Sequence, residues 1–340
     1  MSKVARWIGP IILLSVVAAG VGYWFYWNAL ADGLERGFGR WVEQRRAEGV
    51  SVRHGAVEVT GFPYRLELHV AQPEIAAPRL NMAPEWSADE AVIYFQPWKR
   101  GHAIAEIRGP QKLGWIDGGV QRRATVVAER ALSSVRFTDR GRITRYDADL
   151  VQVEASGDLA LRRAARLQSH GRLADAGDGG PPALELTFRG DEMRVDPAVS
   201  PLGEAVDLAR IAVTLAPMPE STAPAALDAW RDRGGVLEVN ALHVRTGELA
   251  VTGDGTFALD AARRPEGAGV LQVFGAEAFV DALAAAGDLS GGAQLGLKLA
   301  IKALEERDRE GRAVVRAPFS IQNGRIRLLE FGLFEAPPLY

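Results

Sequence analysis

The hydrophobic pattern of this chain changes its period twice. Residues 7–27 (WIGPIILLSVVAAGVGYWFYW) form an uncharged apolar run of about the 20 residues that an α-helix needs to cross a bilayer. Apolar residues then recur at intervals of four, four and three, at Leu30, Leu34, Phe38 and Trp41. That spacing is typical of one helical face. From residue 50 the period becomes two, which predicts half-buried strands.

The apolar run predicts a membrane anchor over residues 1–28. Lys3 and Arg6 precede the run, and the positive-inside rule keeps such residues cytoplasmic. We therefore expect a single crossing with the bulk of the chain exported. The expected anchoring side chains are Ile11, Ile12, Leu13, Leu14, Val16, Val17, Trp24 and Trp27. A cleaved signal peptide is the alternative, because residues 18–20 are small enough for a processing site.

An amphipathic helix is predicted over residues 29–48, with Gly49 placed to end it. Its polar face carries several arginines. We interpret the helix as a stalk that packs its apolar stripe on the exported part. A helix lying on the membrane surface is the alternative.

Two antiparallel β subdomains are predicted, over residues 49–173 and 183–340. In the first, alternation predicts strands at residues 50–52, 57–59, 66–70, 91–95, 104–107, 125–128, 132–137 and 150–155. The pattern weakens between residues 159 and 183. There the tract 174–182 (ADAGDGGPP) predicts a flexible loop, which joins either two domains or two strands.

The second subdomain is the more regular one. Predicted strands lie at residues 184–188, 193–195, 211–215, 237–239, 242–244, 249–251, 257–259, 270–274, 295–301, 314–317, 319–321 and 326–328. Helices are predicted at residues 197–208, from Pro224 to a stop at Gly234, and at residues 276–286. Residues 305–311 predict a solvated turn, and Asn323-Gly324 predicts a tight hairpin. The expected fold class is β-rich α+β.

Composition narrows the function classes. The 40 basic and 43 acidic residues leave a net charge of −3, so no basic field favours nucleic acid as a partner. The chain has no cysteine, which excludes disulfides, thiolate metal sites and a cysteine nucleophile. That absence fits an exported protein, since an oxidising compartment favours either paired cysteines or none.

No catalytic motif is present. The sequence contains no G-x-S-x-G elbow, phosphate-binding loop, H-E-x-x-H helix or G-x-G-x-x-G turn, and its five histidines are scattered singly. We therefore expect no enzyme activity, no catalytic residue, no metal and no cofactor. An envelope hydrolase is the minor alternative, and it would need a nucleophile, a base and an orienting group that the pattern does not assemble.

Aromatic residues concentrate in the first subdomain. The candidates for an apolar groove are Phe62, Tyr64, Trp86, Tyr94, Trp98 and Trp115. One interpretation is packing between a helix and the sheet. The other is a groove or a membrane-proximal surface that binds acyl chains.

Several of these residues belong to motifs that resemble a known family. The motifs are Gly61-Phe62-Pro63-Tyr64, Trp86, the alternating Val92 to Phe95, Gln96-Pro97-Trp98 and Gly109-Pro110. They resemble the bacterial domain-of-unknown-function family 2125, which has no assigned activity. The C-terminal half is similar in its pattern to AsmA-like envelope proteins. That resemblance implies a bacterial inner-membrane anchor, a periplasmic location and a long curved antiparallel sheet with a few packing helices.

The function expected from these features is non-enzymatic. The curved sheet would bind phospholipid or another envelope lipid on an apolar face, in maintenance of the cell envelope. The alternative is a periplasmic scaffold with a closed core that binds another envelope protein. The expected partners are therefore the membrane with a lipid, or an envelope protein, and no nucleic acid.

Overall fold

A computed structural model describes residues 5–80, 82–138, 141–174, 181–198, 203–221, 223–285, 291–308, 310–328, 331–335 and 337–338. An N-terminal apolar helix is followed by a large open antiparallel sheet with few helices. The sheet is not closed on itself. The predicted class, a β-rich α+β chain, is confirmed. The chain divides into two compact units, residues 1–143 with 155–159 (unit 1) and residues 144–154 with 160–340 (unit 2).

The elements of unit 1 are α1 (Ala5–Ala47), β1 (Ser51–Arg53), β2 (Val57–Thr60), β3 (Leu66–Ala71), β4 (Glu74–Ala76), β5 (Glu85–Ser87), β6 (Glu90–Gln96), β7 (Lys99–Arg108), β8 (Gln111–Asp117) and β9 (Val120–Phe137). Those of unit 2 begin with β10 (Ile143–Gly157), most of whose residues belong to it, and continue with β11 (Leu161–Ala174), β12 (Ala183–Val195), β13 (Ala205–Ala216), α2 (Pro224–Asp232), β14 (Val236–Thr246), β15 (Leu249–Leu259), β16 (Pro265–Phe274), α3 (Ala276–Ala285), α4 (Gly291–Leu304), β17 (Glu305–Arg307), β18 (Ala313–Gln322), β19 (Arg325–Leu328) and β20 (Phe331–Glu335).

The short strands of unit 1 are segments of longer, interrupted strands. Ser51 lies opposite Ala76 and Val57 lies opposite Val70, so β1–β2 and β3–β4 pair in one continuous register. The β5–β6 segments continue the register on the other side of β3–β4. β7 and β8 then pair with successive parts of β9. Residues with positive φ mark two of the interruptions, Gln72 at 46° and Gly109 at 77°, as at β-bulges, which bend a strand.

The second half of α1 packs on this sheet. Trp27, Ala31 and Leu66 form a buried cluster, against which Leu30 and Leu34 also pack. The predicted apolar stripe therefore contacts the sheet at these two leucines. Further along, α1 contacts β1, and the guanidinium of Arg46 donates hydrogen bonds to the Val52 carbonyl at 2.6 and 3.1 Å. α1 ends as predicted, with Gly49 at φ 86°.

Unit 2 is an antiparallel meander. Neighbouring strands from β10 to β16 pair in sequence order, β16 pairs with β18, and β19 and β20 follow. β17 also pairs with β18 but is not part of this series of neighbouring strands. α2 connects β13 to β14, whereas α3 and α4 lie between β16 and β17 in the chain. The predicted hairpin at Asn323-Gly324 is confirmed, since Gln322 lies opposite Arg325.

One predicted strand is wrong. Residues 295–301 belong to the helix α4, although leucines alternate at residues 295, 297 and 299. Leucine itself favours helices, as do Gln294, Lys298 and Ala300, although Gly296 does not. Gln294 and Lys298 are one helical turn apart, and both donate to the Asp281 carboxylate of α3, at 2.9 and 2.8 Å. This contact with α3 supports the helical conformation that the alternation concealed.

Three other predictions need correction. The helix predicted at residues 197–208 is wrong over residues 205–208, which begin β13 and pair with β12; residues 199–202 lie outside the described residues. The solvated turn predicted at residues 305–311 begins with a strand, β17. The weak pattern after residue 159 hid β11, whose sequence mixes arginine and alanine on both faces.

Several predicted strands are halves of one strand. β9, β14, β15 and β18 each join two predicted segments. In β15 the glycines 253 and 255 pair with Leu271 and Gly269 and do not end the strand. A Cβ on Gly253 would lie 2.7 Å from the Leu271 side chain. The glycine is therefore a close-approach position within the sheet and not a turn.

The predicted loop of residues 174–182 connects neighbouring strands. Ala174 lies opposite Ala183 where β11 and β12 pair. Residues 175–180 of this loop lie outside the described residues.

Candidate functional site

One face of the unit 2 sheet is apolar across many strands. Residues directly opposite each other on paired strands project to the same side of a sheet. Phe188 of β12 lies opposite Ile211 of β13, which in turn lies opposite Leu242 of β14. The same relation extends this apolar face over Leu173, Leu184, Leu186, Val213, Leu215, Leu237, Val239, Val251, Phe257 and Leu271.

The side chains of the apolar face are only partly covered. None of those just named is buried, and Phe188 and Ile211 at its centre are 38% and 37% exposed. Helices contact the sheet of unit 2 at β15, which carries part of this face and lies against α3, and at β18, which lies against α4. A sheet normally buries its apolar face against another layer. This face is therefore a candidate surface for an apolar ligand.

Glycines flatten the part of this face nearest β18. Gly253, Gly255, Gly267 and Gly269 lie in β15 and β16. The rings of Phe257 and Phe319 stack beside them, with centroids 5.9 Å apart. A Cβ on Gly269 would lie 2.7 Å from the Phe319 ring. The glycines thus allow the two rings to lie close against the backbone.

The opposite face of the same strands is charged. Asp147 accepts hydrogen bonds from Arg145 at 2.9 Å, and its carboxylate lies 2.8 Å from His170 Nδ1. These hydrogen bonds, from Arg145 first and then from His170, lower the pKa of Asp147. Arg166 of β11 pairs with Asp149 of β10 at 2.6 Å. Ion pairs of this kind, within a strand and between strands, keep that face hydrated, so the two faces have different chemistry.

The predicted anchor residues lie on α1. Ile12, Leu13, Leu14, Val16 and Val17 are exposed, as is Trp24; the Ile11 side chain lies outside those described. Trp27 differs, because it is buried against unit 1. α1 is long and apolar enough over Ile12–Ala47 to cross a membrane, and no second such helix occurs in the part of the chain that the structure describes.

The structure brings three of the six aromatic candidates to one cavity and places a fourth, Phe62, against α1. Phe62 contacts Trp27 edge-on, with ring centroids 5.6 Å apart. Tyr64, Tyr94 and Trp98 line one open cavity of about 500 Å³. Trp86 lies elsewhere in unit 1, where its Nε1 donates to Gln111 at 3.1 Å, and Trp115 lies on β8. The predicted groove of all six residues stays a prediction.

Sequence reasoning predicted an apolar sheet face as the binding surface but did not assign its residues, and the groove residues that it named lie in unit 1. The residues of the apolar face of unit 2 alternate in the predicted strands, at residues 184, 186 and 188 for example. Alternation says that such residues share a face but not which strand lies beside which. The available signal was the length of the meander, since consecutive antiparallel strands with the same alternation extend a single apolar surface.

A polar cluster lies on β3, β6 and β7 of unit 1. His69 Nδ1 lies 2.8 Å from Glu90, and Arg108 contacts both Glu90 and Glu106, at 3.1 and 2.9 Å. The hydrogen bond with His69 is the main cause that lowers the pKa of Glu90. A hydrogen bond from Tyr94 lowers the pKa of Glu106. Both carboxylates are therefore favoured in their charged forms.

These lowered pKa values predict a pH dependence of stability. A carboxyl group whose pKa is lowered in the folded state stabilises the folded protein at pH values above the pKa of that group in the unfolded state. This stabilisation is lost as the pH falls through the folded-state pKa. We expect the free energy of unfolding of unit 1 to fall as the pH drops below the ordinary glutamate value of 4.5. His69→Ala should raise the pKa of Glu90, measured by NMR titration of its side-chain carboxyl carbon. His54→Ala, at a histidine bonded to the Gly55 carbonyl, is the control that should leave that pKa unchanged.

Comparison with known proteins places the chain in a family but not in a functional class. No curated protein and no solved structure matches it, so the predicted likeness to AsmA-like proteins stays a prediction. A family model does match, over residues 24–336, which include the second half of α1, most of unit 1 and nearly all of unit 2. Its description is "uncharacterized protein conserved in bacteria (DUF2125)". The chain belongs to this family of uncharacterized bacterial proteins.

Proposed function

We propose that this protein is a non-enzymatic lipid-binding protein of the bacterial inner membrane. α1 anchors it by a single crossing with the N-terminus in the cytoplasm, and the bulk of the chain lies in the periplasm. The apolar face of unit 2 binds the acyl chains of a phospholipid or another envelope lipid. This function serves maintenance of the cell envelope.

The partly exposed apolar face is the observation that carries the proposal. Its side chains are those of leucine, valine, isoleucine and phenylalanine, which match an acyl chain in polarity. Each methylene that moves from water onto such a surface contributes about 0.8 kcal/mol when fully buried. A single chain lying across several strands would therefore bind without any directional polar contact. Because Phe188 and Ile211 are partly exposed, the lipid proposal is favoured over a scaffold with a closed core.

Substitution at the centre of the face tests the proposal. Phe188→Thr with Ile211→Thr keeps residues that favour strands but removes two directly opposed apolar side chains. We expect phospholipid binding to weaken about tenfold, which corresponds to the roughly 1.4 kcal/mol that about 55 Å² of apolar contact contributes. Binding is measured on the full chain after delipidation, by native mass spectrometry with added phospholipid.

The control is the neighbouring pair on the charged face. Thr187 lies opposite Ala212 on the same two strands, and Thr187→Ser with Ala212→Ser should leave binding unchanged.

A phospholipid with a photoreactive acyl chain should cross-link to β12–β14 in the native protein and less in the Phe188 and Ile211 variant. The proposal is overturned if the delipidated native protein takes up no phospholipid, or if both pairs of substitutions weaken binding equally.

A further inference from the structure

A loop of unit 1 is tied to α1 at its aromatic segment. The loop, residues 61–65, is called here the aromatic loop. The Tyr23 hydroxyl donates to the Pro63 carbonyl at 2.5 Å, and Trp27 Nε1 donates to the Arg65 carbonyl at 3.2 Å. The Phe62 ring lies 6.1 Å from that of Tyr23. These contacts hold the aromatic loop beside residues 23–27 of α1.

The position of residues 23–27 along α1 determines how deep the aromatic loop lies relative to the membrane. At 1.5 Å per residue, the 20 residues that end at Trp27 span about 30 Å, which is the thickness of a hydrocarbon core. Residues 23–27 then lie at the boundary between acyl chains and head groups. This step rests on the proposed anchoring by α1. If α1 crosses the membrane, the aromatic loop lies at the membrane surface.

The side chains at this level suit a membrane interface. Tyr64 and Trp98 are 77% and 68% exposed and flank the open cavity of about 500 Å³. Large aromatic rings with one polar group favour the head-group region, where the ring is partly desolvated and the polar group stays hydrated. Arg65 also lines the cavity, where it pairs with Glu67 and its guanidinium lies 5.1 Å from the centre of the Tyr94 ring. Exposed Lys99 follows Trp98 and adds a cation that favours lipid phosphates.

We propose that the aromatic loop and Trp98 form an interfacial docking surface for the bilayer that α1 crosses. The rings of Tyr64 and Trp98 insert among the lipid head groups. Arg65 and Lys99 lie at the level of the phosphates. This docking holds unit 1 against the membrane.

Single-cysteine labelling tests the docking, because the native chain contains no cysteine. The full chain is placed in nanodiscs of phosphatidylethanolamine and phosphatidylglycerol that carry a nitroxide quencher on the acyl chain near the head group. A fluorophore is attached in turn at Gln96→Cys, Leu14→Cys and Val120→Cys. Gln96 lines the cavity beside both rings and leaves them in place, Leu14 reports on the anchor, and Val120 begins β9 at the β8–β9 hairpin.

The expected result is a loss of fluorescence at the Gln96 and Leu14 labels and little loss at the Val120 label. Tyr64→Ser with Trp98→Ser should restore the Gln96 fluorescence and leave the Leu14 signal unchanged. Quenching at Leu14 without quenching at Gln96 would overturn the docking and leave the anchor in place. A Leu14 label without quenching would overturn the proposed anchoring, and the docking with it.

Discussion

Trp27→Ala is expected to detach α1 from the sheet of unit 1. The side chain is 7% exposed and packs with Ala31 and Leu66. Its Nε1 donates to the Arg65 carbonyl at 3.2 Å. Replacing a buried tryptophan with alanine costs about 3–5 kcal/mol, so the free energy of unfolding of unit 1 should fall by about that amount.

Hydrogen exchange of the full chain in detergent measures this effect. The amides of β3 should exchange faster in Trp27→Ala than in the native protein, because the Leu66 side chain of β3 would become exposed to solvent. Trp24→Ala is the matched control on the same helix, since Trp24 is 48% exposed. Unchanged protection of β3 in Trp27→Ala, or equal loss in both variants, would contradict a structural role for this contact.

Trp230→Ala should destabilise unit 2 to a similar extent. Trp230 is the buried residue of α2, with 4% exposure, and its Nε1 donates to the Pro217 carbonyl at 2.6 Å. Removing the ring leaves a cavity and an unpaired carbonyl, with an expected cost of about 3–5 kcal/mol. Pulse proteolysis of the full chain across a urea series would measure the loss as a lower midpoint.

Two further variants separate the causes of this loss. Trp230→Phe retains an aromatic ring and loses the hydrogen bond, so we expect a smaller cost of about 1–3 kcal/mol. Gly235→Ala tests the packing, because a Cβ there would lie 2.2 Å from two atoms of the Trp230 ring, and it should also lower the midpoint. Native stability in both Trp230→Ala and Gly235→Ala would contradict the packing described here.

Local periodicity predicted the elements whose pattern is unambiguous. The end of α1 near Gly49, the start of α2 at Pro224 and the hairpin at Asn323-Gly324 all follow from neighbouring residues in the chain. The prediction failed where two patterns competed. Leucines at residues 295, 297 and 299 alternate like a strand, but leucine also favours helices, and the hydrogen bonds of Gln294 and Lys298 with Asp281 of α3 support the helical conformation.

The candidate site shows the same limit. Aromatic residues at 62, 64, 94 and 98 were identifiable from the sequence, but not that Phe62 lies against α1 or that the other three line one cavity. The position of the aromatic loop beside α1 depends on contacts between residues about 40 apart, such as Tyr23 with Pro63. Trp86 carries the same chemistry and lies elsewhere in unit 1, where it hydrogen-bonds Gln111. Residue type therefore indicated that an aromatic surface exists but not which aromatic residues form it.

By itself, the sequence determined an apolar helix followed by a β-rich chain without cysteine, because these features depend on composition and on periods of a few residues. The tertiary structure decided which strands are neighbours and therefore which alternating positions merge into the apolar face of unit 2. It also decided that Trp27 packs on unit 1 while Trp24 stays exposed. Strand register and helix packing are non-local properties, since they arise from the fit between distant segments, and no local pattern encodes them.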